Sequence, residues 1–177
     1  MLAGEPYLAD DEELLGERRR CRMAIERLNA TSSVDRPARA SILSDLLAGV
    51  GDETEILSPF ACDYGYQIEI GSRTFVNFGA VILDSAAVLI GNDVQIGPGV
   101  KLVTPNHPLD PDERRTRYEV AAPITICDDA WLAAGVIVCA GVTVGEGAVV
   151  GAGSVVTRDL PARHLCIGSP CRPVREV

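Results

Sequence analysis

Residues 126–156 read ICDDAWLAAGVIVCAGVTVGEGAVVGAGSVV, and an aliphatic residue returns at every sixth position: Ile126, Leu132, Val138, Val144, Val150 and Val156. Four places after each of the first five, a small or β-branched residue recurs: Ala130, Val136, Val142, Ala148 and Ser154. Glycine follows the aliphatic residue directly in Val144-Gly145 and Val150-Gly151. A strand alternates with period two and a helix with a period of about 3.6, so a period of six calls for short strands separated by tight turns. Fixed-period self-similarity of this kind is the signature of a parallel β-helix built from hexapeptides.

Working outward, two earlier series carry the same pattern: Ile70, Val76 and Ile82, then Ile90, Ile96 and Leu102, with an insertion between Ile82 and Ile90. Three hexads close one triangular coil, so the repeats predict about five coils stacked at roughly 4.8 Å, a prism on the order of 25 Å tall. The pattern stops after Val103 and resumes at Ile124. The interruption, about 104–123, carries Pro105, Pro108, Pro111 and Pro123 around a polar middle. A loop of that length with no structure of its own, extruded from a regular coil, is more often functional than decorative.

Two helices are expected ahead of the coil. The first runs from about Asp10 to Asn29, acidic at its start and arginine-rich farther on, the order the helix dipole favours. The second runs from about Arg36 to Ala48, with Asp35 as N-cap and Gly49 as its stop. The expected organisation is a helical cap over 1–55, an all-β core in the form of a parallel β-helix over 56–163 with its extruded loop, and a tail over 164–177 that packs on the coil.

The formal net charge of −9 argues against nucleic acid or an anionic membrane surface as partner. Of 16 basic residues only Lys101 is a lysine, which favours forked, planar contacts over point charges. The acidic N-terminus and the lack of a long apolar run point to a cytoplasmic protein. Six cysteines show no C-x-x-C spacing and are expected to be reduced core fillers. With 2 histidines the chain falls short of the three that a β-helical zinc site wants, and no metal is expected.

Those two histidines differ in setting. His107 stands at the root of the extruded loop in Thr104-Pro105-Asn106-His107-Pro108, between prolines that stiffen the backbone on either side. An imidazole held there beside a movable flap suits a general base. His164 lies in the tail beside Arg163 and is expected to be structural.

The chain resembles the maltose and galactoside O-acetyltransferases of the hexapeptide-repeat acyltransferase superfamily, nodulation-type sugar acetyltransferases included. The resemblance rests on Met1-Leu2-Ala3-Gly4-Glu5-Pro6-Tyr7, Cys62-Asp63-Tyr64-Gly65-Tyr66, Asn77-Phe78, Thr104-Pro105-Asn106-His107-Pro108, Asp129-Ala130-Trp131-Leu132, Val156-Thr157-Arg158-Asp159 and Gly168-Ser169-Pro170-Cys171-Arg172. It implies a left-handed β-helix assembled as a homotrimer with active sites between subunits, acetyl-CoA as donor, and a sugar hydroxyl, maltose- or glucose-like, as acceptor. His107 matches the catalytic histidine, which acts as general base in direct transfer.

The resemblance further implies acceptor contacts from Asp63, Asn77, Asp84 and an N-terminal acid, Asp10 ahead of Asp11. It implies a CoA groove formed by Trp131, Ala134, Ala152, Thr157, Arg158 and Arg172. Galactoside enzymes carry an Asp-Asp pair where this chain has Asp84-Ser85, and Arg158 replaces a lysine often found there. Simpler roles stay open for several of these: Trp131 as packing, Asn77 as a ladder within the coil, Asp84 as the cap of a turn. Two alternatives to the main reading also stand, namely the same chemistry on an oligosaccharide, nucleotide sugar or xenobiotic, and a non-catalytic β-helical binding module.

Overall fold

The computed structural model describes residues 1–177. Its centre is a triangular solenoid of parallel strands. The first face stacks Gly49–Val50, Ile68–Ile70, Val88–Ile90, Ile124–Ile126 and Thr143–Val144. The second stacks Glu55–Ile56, Phe75–Val76, Gln95–Ile96, Trp131–Leu132 and Val149–Val150, and the third Phe60–Cys62, Ala80–Leu83, Lys101–Val103, Ile137–Val138 and Val155–Val156. The hexad aliphatics are the inward side chains: Ile70, Ile90, Ile126 and Val144 on one face, and Val76, Ile96, Leu132 and Val150 on the next, are all buried. The small residues four places on, Ala130, Val136, Val142, Ala148 and Ser154, are buried as well. They fill the buried corners between one strand and the next.

Stacking sets the choice of residue at the corners. Gly97 directly follows the inward Ile96, and a Cβ there would lie 2.8 Å from both the Ala133 carbonyl carbon and the Ala134 nitrogen of the coil above. Backbone cannot yield at that distance without unstacking the coils.

Repeats first become legible in the sequence near Ile56, yet the stacking begins at Gly49–Val50, which pairs in parallel with Glu69–Ile70. For that reason the second helix stops short. Helix α1 spans Glu12–Ala30 with Asp11 as N-cap, and α2 spans Arg36–Leu46 with Asp35 as N-cap and an extended Leu47 as C-cap. Together they close the lower end of the prism. The Asn29 carboxamide exchanges two 3.0 Å bonds with the Phe60 backbone, acting as a further strand against an otherwise open edge. Arg39 is buried and donates to the carbonyls of Leu28 and Ile56 at 2.9 and 2.7 Å.

At the other end, His164–Gly168 extends the second face in parallel with Val149–Val150 before Cys171–Glu176 turns back antiparallel upon it. Four of the six cysteines, Cys21, Cys62, Cys166 and Cys171, are buried, and all six are free. No helix is long and apolar enough to cross a membrane.

The interruption is folded, contrary to the expectation of a loop without structure. Pro105–Asn106 pairs antiparallel with Tyr118–Ala121, and a short helix α3, Pro111–Arg115, lies between them. Tyr118–Glu119 pairs in turn with Tyr7–Leu8, so the N-terminal segment becomes the third strand of this small sheet. The neck is closed by Thr104. Its hydroxyl donates to the Leu83 carbonyl (2.7 Å) and accepts from the Ala86 N–H (3.0 Å), and its carbonyl accepts from the Ala122 N–H (3.0 Å).

Asp84 is 0 % exposed. Its carboxylate accepts the N–H groups of Asp63 (3.0 Å), Tyr64 (2.9 Å) and Gly65 (2.7 Å). Burial pushes this carboxyl upward while the three N–H groups favour the charged form. The Asp84 carboxylate thus holds the turn that carries Asp63, the capping role that the sequence leaves open beside an acceptor contact. Replacing it by alanine would strand two buried donors and one part-buried donor, and Asp84→Ala is expected to cost about 2–4 kcal/mol in denaturant unfolding. A loss below about 1 kcal/mol would show that water satisfies those donors instead.

Candidate active site

The neck of the loop fixes His107, and the N-terminal strand supplies what surrounds it. A cavity of about 350 Å³ is lined by Ala9, Asp10, Arg18, His107, Arg114, Arg117 and Glu119. His107 Nδ1 lies 3.5 Å from Glu119 Oε1, with the histidine side chain 61 % exposed and the glutamate 17 %. The Tyr7 hydroxyl donates to the other carboxylate oxygen of Glu119 at 3.1 Å. Burial pushes the Tyr7 phenol up to about 12, so it keeps its proton and remains a donor. The Tyr7 phenol thus holds the Glu119 carboxylate by a hydrogen bond, and that carboxylate lies beside the Nδ1 edge of the His107 imidazole, with the Nε2 edge on the far side of the ring.

Hardly anything local in the sequence marks Glu119. It sits in a polar stretch with no motif, and its register opposite Tyr7 depends on pairing across 112 residues. The one local signal is the alternation of Tyr118, Glu119, Val120 and Ala121, which places Glu119 on the less exposed face of a strand.

Of the expected acceptor contacts, Asp10 does reach this cavity. Its Oδ2 is paired with Arg117 Nη1 at 2.5 Å, and that bond holds the carboxyl below its ordinary range. Asp63 is half-buried next door. Burial and the neighbouring Asp84 push its carboxyl upward, opposed by the charges of Arg18 and Arg22. Asn77 lies on the solenoid wall outside the cavity, where its side-chain oxygen accepts the Phe78 N–H at 2.8 Å.

The expected donor residues sit elsewhere on the chain. Trp131 stands outward on the second face, 50 % exposed, between Gln95 and Val149. Ala134 and Ala152 are exposed at the corner that follows, one coil apart, with the Gly153 N–H donating to the Ala134 carbonyl at 2.9 Å. Thr157 and Arg158 are exposed just beyond the third face, and Arg172 lies on the returning tail with Nη1 on the Cys171 carbonyl at 2.7 Å. None of the six lines the His107 cavity. His164 is engaged locally, with Nδ1 2.8 Å from the Ala162 carbonyl oxygen. No group of three or more His, Cys, Asp or Glu side chains converges as a metal site would.

Residues 1–51 match the maltose acetyltransferase hexapeptide capping motif, and residues 123–158 match six bacterial transferase hexapeptide repeats. Nodulation protein L of Rhizobium meliloti is 42% identical over 97% of this chain and 94% of its own length. A maltose O-acetyltransferase from Clostridium difficile superposes with a TM-score of 0.97 at 36% identity, covering 99% of this chain and 94% of that one. A hexapeptide-repeat acetyltransferase of Vibrio cholerae, solved with acetyl coenzyme A, gives 0.93 at 34% identity over 99% and 95% of the two chains. With its left-handed parallel β-helix, helical cap and hexapeptide repeats, this chain belongs to the maltose and galactoside O-acetyltransferase family of hexapeptide-repeat acyltransferases.

Proposed function

We propose that the protein transfers the acetyl group of acetyl-CoA to a hydroxyl of a maltose- or glucose-like sugar, in the cytoplasm, with His107 as general base. The observation that carries this reading is the Tyr7–Glu119–His107 arrangement at the wall of a solvent-open cavity. With its proton on Nδ1, towards Glu119, His107 takes the acceptor's hydroxyl proton on Nε2 as that oxygen attacks the thioester carbonyl carbon. The carbon–sulfur bond then breaks, and the proton passes from Nε2 to the departing thiolate, giving an O-acetyl sugar and free CoA. No covalent enzyme intermediate is needed, because the thioester is already activated and positioning supplies much of the remaining rate.

The family match and a relative solved with acetyl coenzyme A support the choice of donor. On this reading Trp131, Ala134, Ala152, Thr157, Arg158 and Arg172 hold the CoA arm and its phosphates, while Asp10, Asp63 and Asn77 meet the acceptor. Because the donor set and the His107 cavity lie apart on one chain, the working unit is a trimer in which one subunit's donor wall faces its neighbour's histidine. In the outward row of the third face Ala61, Val81, Ile137 and Val155 are aliphatic and only partly exposed, which suits packing between copies, with the exposed Lys101 as the one charged member.

Thiol release from acetyl-CoA against a panel of sugars tests the assignment. His107→Ala is expected to lower kcat about 10²- to 10⁴-fold, and equal turnover by the two proteins would remove the histidine from the mechanism. For the donor groove, Arg172→Ala is expected to raise the KM for acetyl-CoA roughly tenfold, the value of one charge-assisted phosphate contact, without altering the order of preference among acceptors. An unchanged KM would place the tail outside the groove.

A further inference from the structure

The wall of the His107 cavity is unusually cationic for a protein of net charge −9. Three arginines, Arg18, Arg114 and Arg117, line it against two carboxylates, Asp10 and Glu119, and the sole apolar member is Ala9. Both carboxylates are already engaged. Asp10 is bound by Arg117, and Glu119 by Tyr7 and His107.

Two of the arginines are not matched in this way. Arg18 donates Nη1 to the Tyr64 hydroxyl (2.5 Å) and Nη2 to the Ala9 carbonyl. Arg114 donates Nη1 to the carbonyls of Pro108 (3.0 Å) and Leu109 (3.1 Å). These acceptors are neutral, and no carboxylate lies within 4.0 Å of either guanidinium. Asp63 feels the charge of Arg18 but lies beyond that distance and outside the cavity wall. Arg117 itself follows the C-cap of α3 with its backbone at φ 66, the left-handed conformation that commonly ends a helix.

A neutral sugar offers hydrogen bonds but no charge to either guanidinium. A planar carboxylate or a phosphate matches the fork of an arginine and neutralises it. We infer that the acceptor of this site is a sugar bearing an anionic group, its hydroxyl at His107 and its carboxylate or phosphate on Arg18 and Arg114, with Arg117 at the rim. The inference rests on the sugar O-acetyltransferase reading and narrows it to acidic or phosphorylated acceptors.

Initial rates of thiol release from acetyl-CoA with glucose, glucuronate and glucose 6-phosphate separate the outcomes, measured at low and high salt for the wild type, Arg114→Gln and Arg114→Lys. One of the two anionic sugars is expected to exceed glucose in kcat/KM by about tenfold or more, with the difference in KM, and that advantage should shrink as salt screens the contact. Which of the two leads identifies the group. Arg114→Gln should bring the ratio of anionic to neutral acceptor close to one, and Arg114→Lys should retain most of it. Glucose turned over as well as both anionic sugars, or a preference indifferent to salt and to Arg114→Gln, overturns the inference while leaving the acetyltransferase reading intact. Thiol release with none of the three overturns both.

Discussion

Every other feature of this chain depends on the hydrogen-bonded stacking of one coil on the next. Neighbouring coils must lie within a strand spacing of each other at the corners as well as along the faces. That leaves room for only hydrogen at Gly97, where a Cβ would meet the backbone above at 2.8 Å, and for small side chains such as Ala130 and Ala148 at the buried corners. A regular coil built this way has flat, stiff walls and no concavity of its own. Extra residues cannot be absorbed within a coil beyond a residue or two at a corner, so a longer insertion has to leave the wall entirely.

The insertion at 104–123 does so through a narrow neck, and the neck determines the chemistry. Thr104 ties its hydroxyl and its carbonyl to three separate backbone partners, so His107, three residues on, has a fixed base even though its ring is largely exposed. The flap beyond it is held by the N-terminal strand, and the same strand brings Tyr7 to Glu119 and Asp10 to Arg117. The cavity is therefore an assembly of two segments far apart in sequence, laid against a solenoid that supplies rigidity. Asp84 contributes from the next coil by locking the turn of Asp63 to Gly65.

Legibility in the sequence followed the range of the forces involved. The coils were readable because each hexad obeys the same local rule, inward aliphatic and small corner, and six repeats of it leave little room for another fold. The caps of α1 and α2 were readable to within a residue or two because an N-cap is a local bond; Asp11 caps α1 and Asp35 caps α2. The end of α2 was not, since Gly49–Val50 is claimed by a strand twenty residues away in the next coil. The sheet of the flap was hidden for the same reason: its third strand comes from Tyr7–Leu8. His107 stood out through its flanking prolines, whereas Glu119, its partner, had no signature beyond a weak alternation. The hold of Asp84 on the turn is hidden as well, since its three backbone partners come together only once the turn in the coil below it has folded.

The account stands on the coupling between Glu119 and His107, and a double-mutant cycle on kcat/KM measures that coupling directly. If Glu119 acts by orienting the imidazole, Glu119→Gln should slow the wild-type enzyme about tenfold or more and should cost almost nothing further in a His107→Ala background. Additive losses, with Glu119→Gln equally damaging whether or not the histidine is present, would contradict the coupling and leave the glutamate a structural support of the flap.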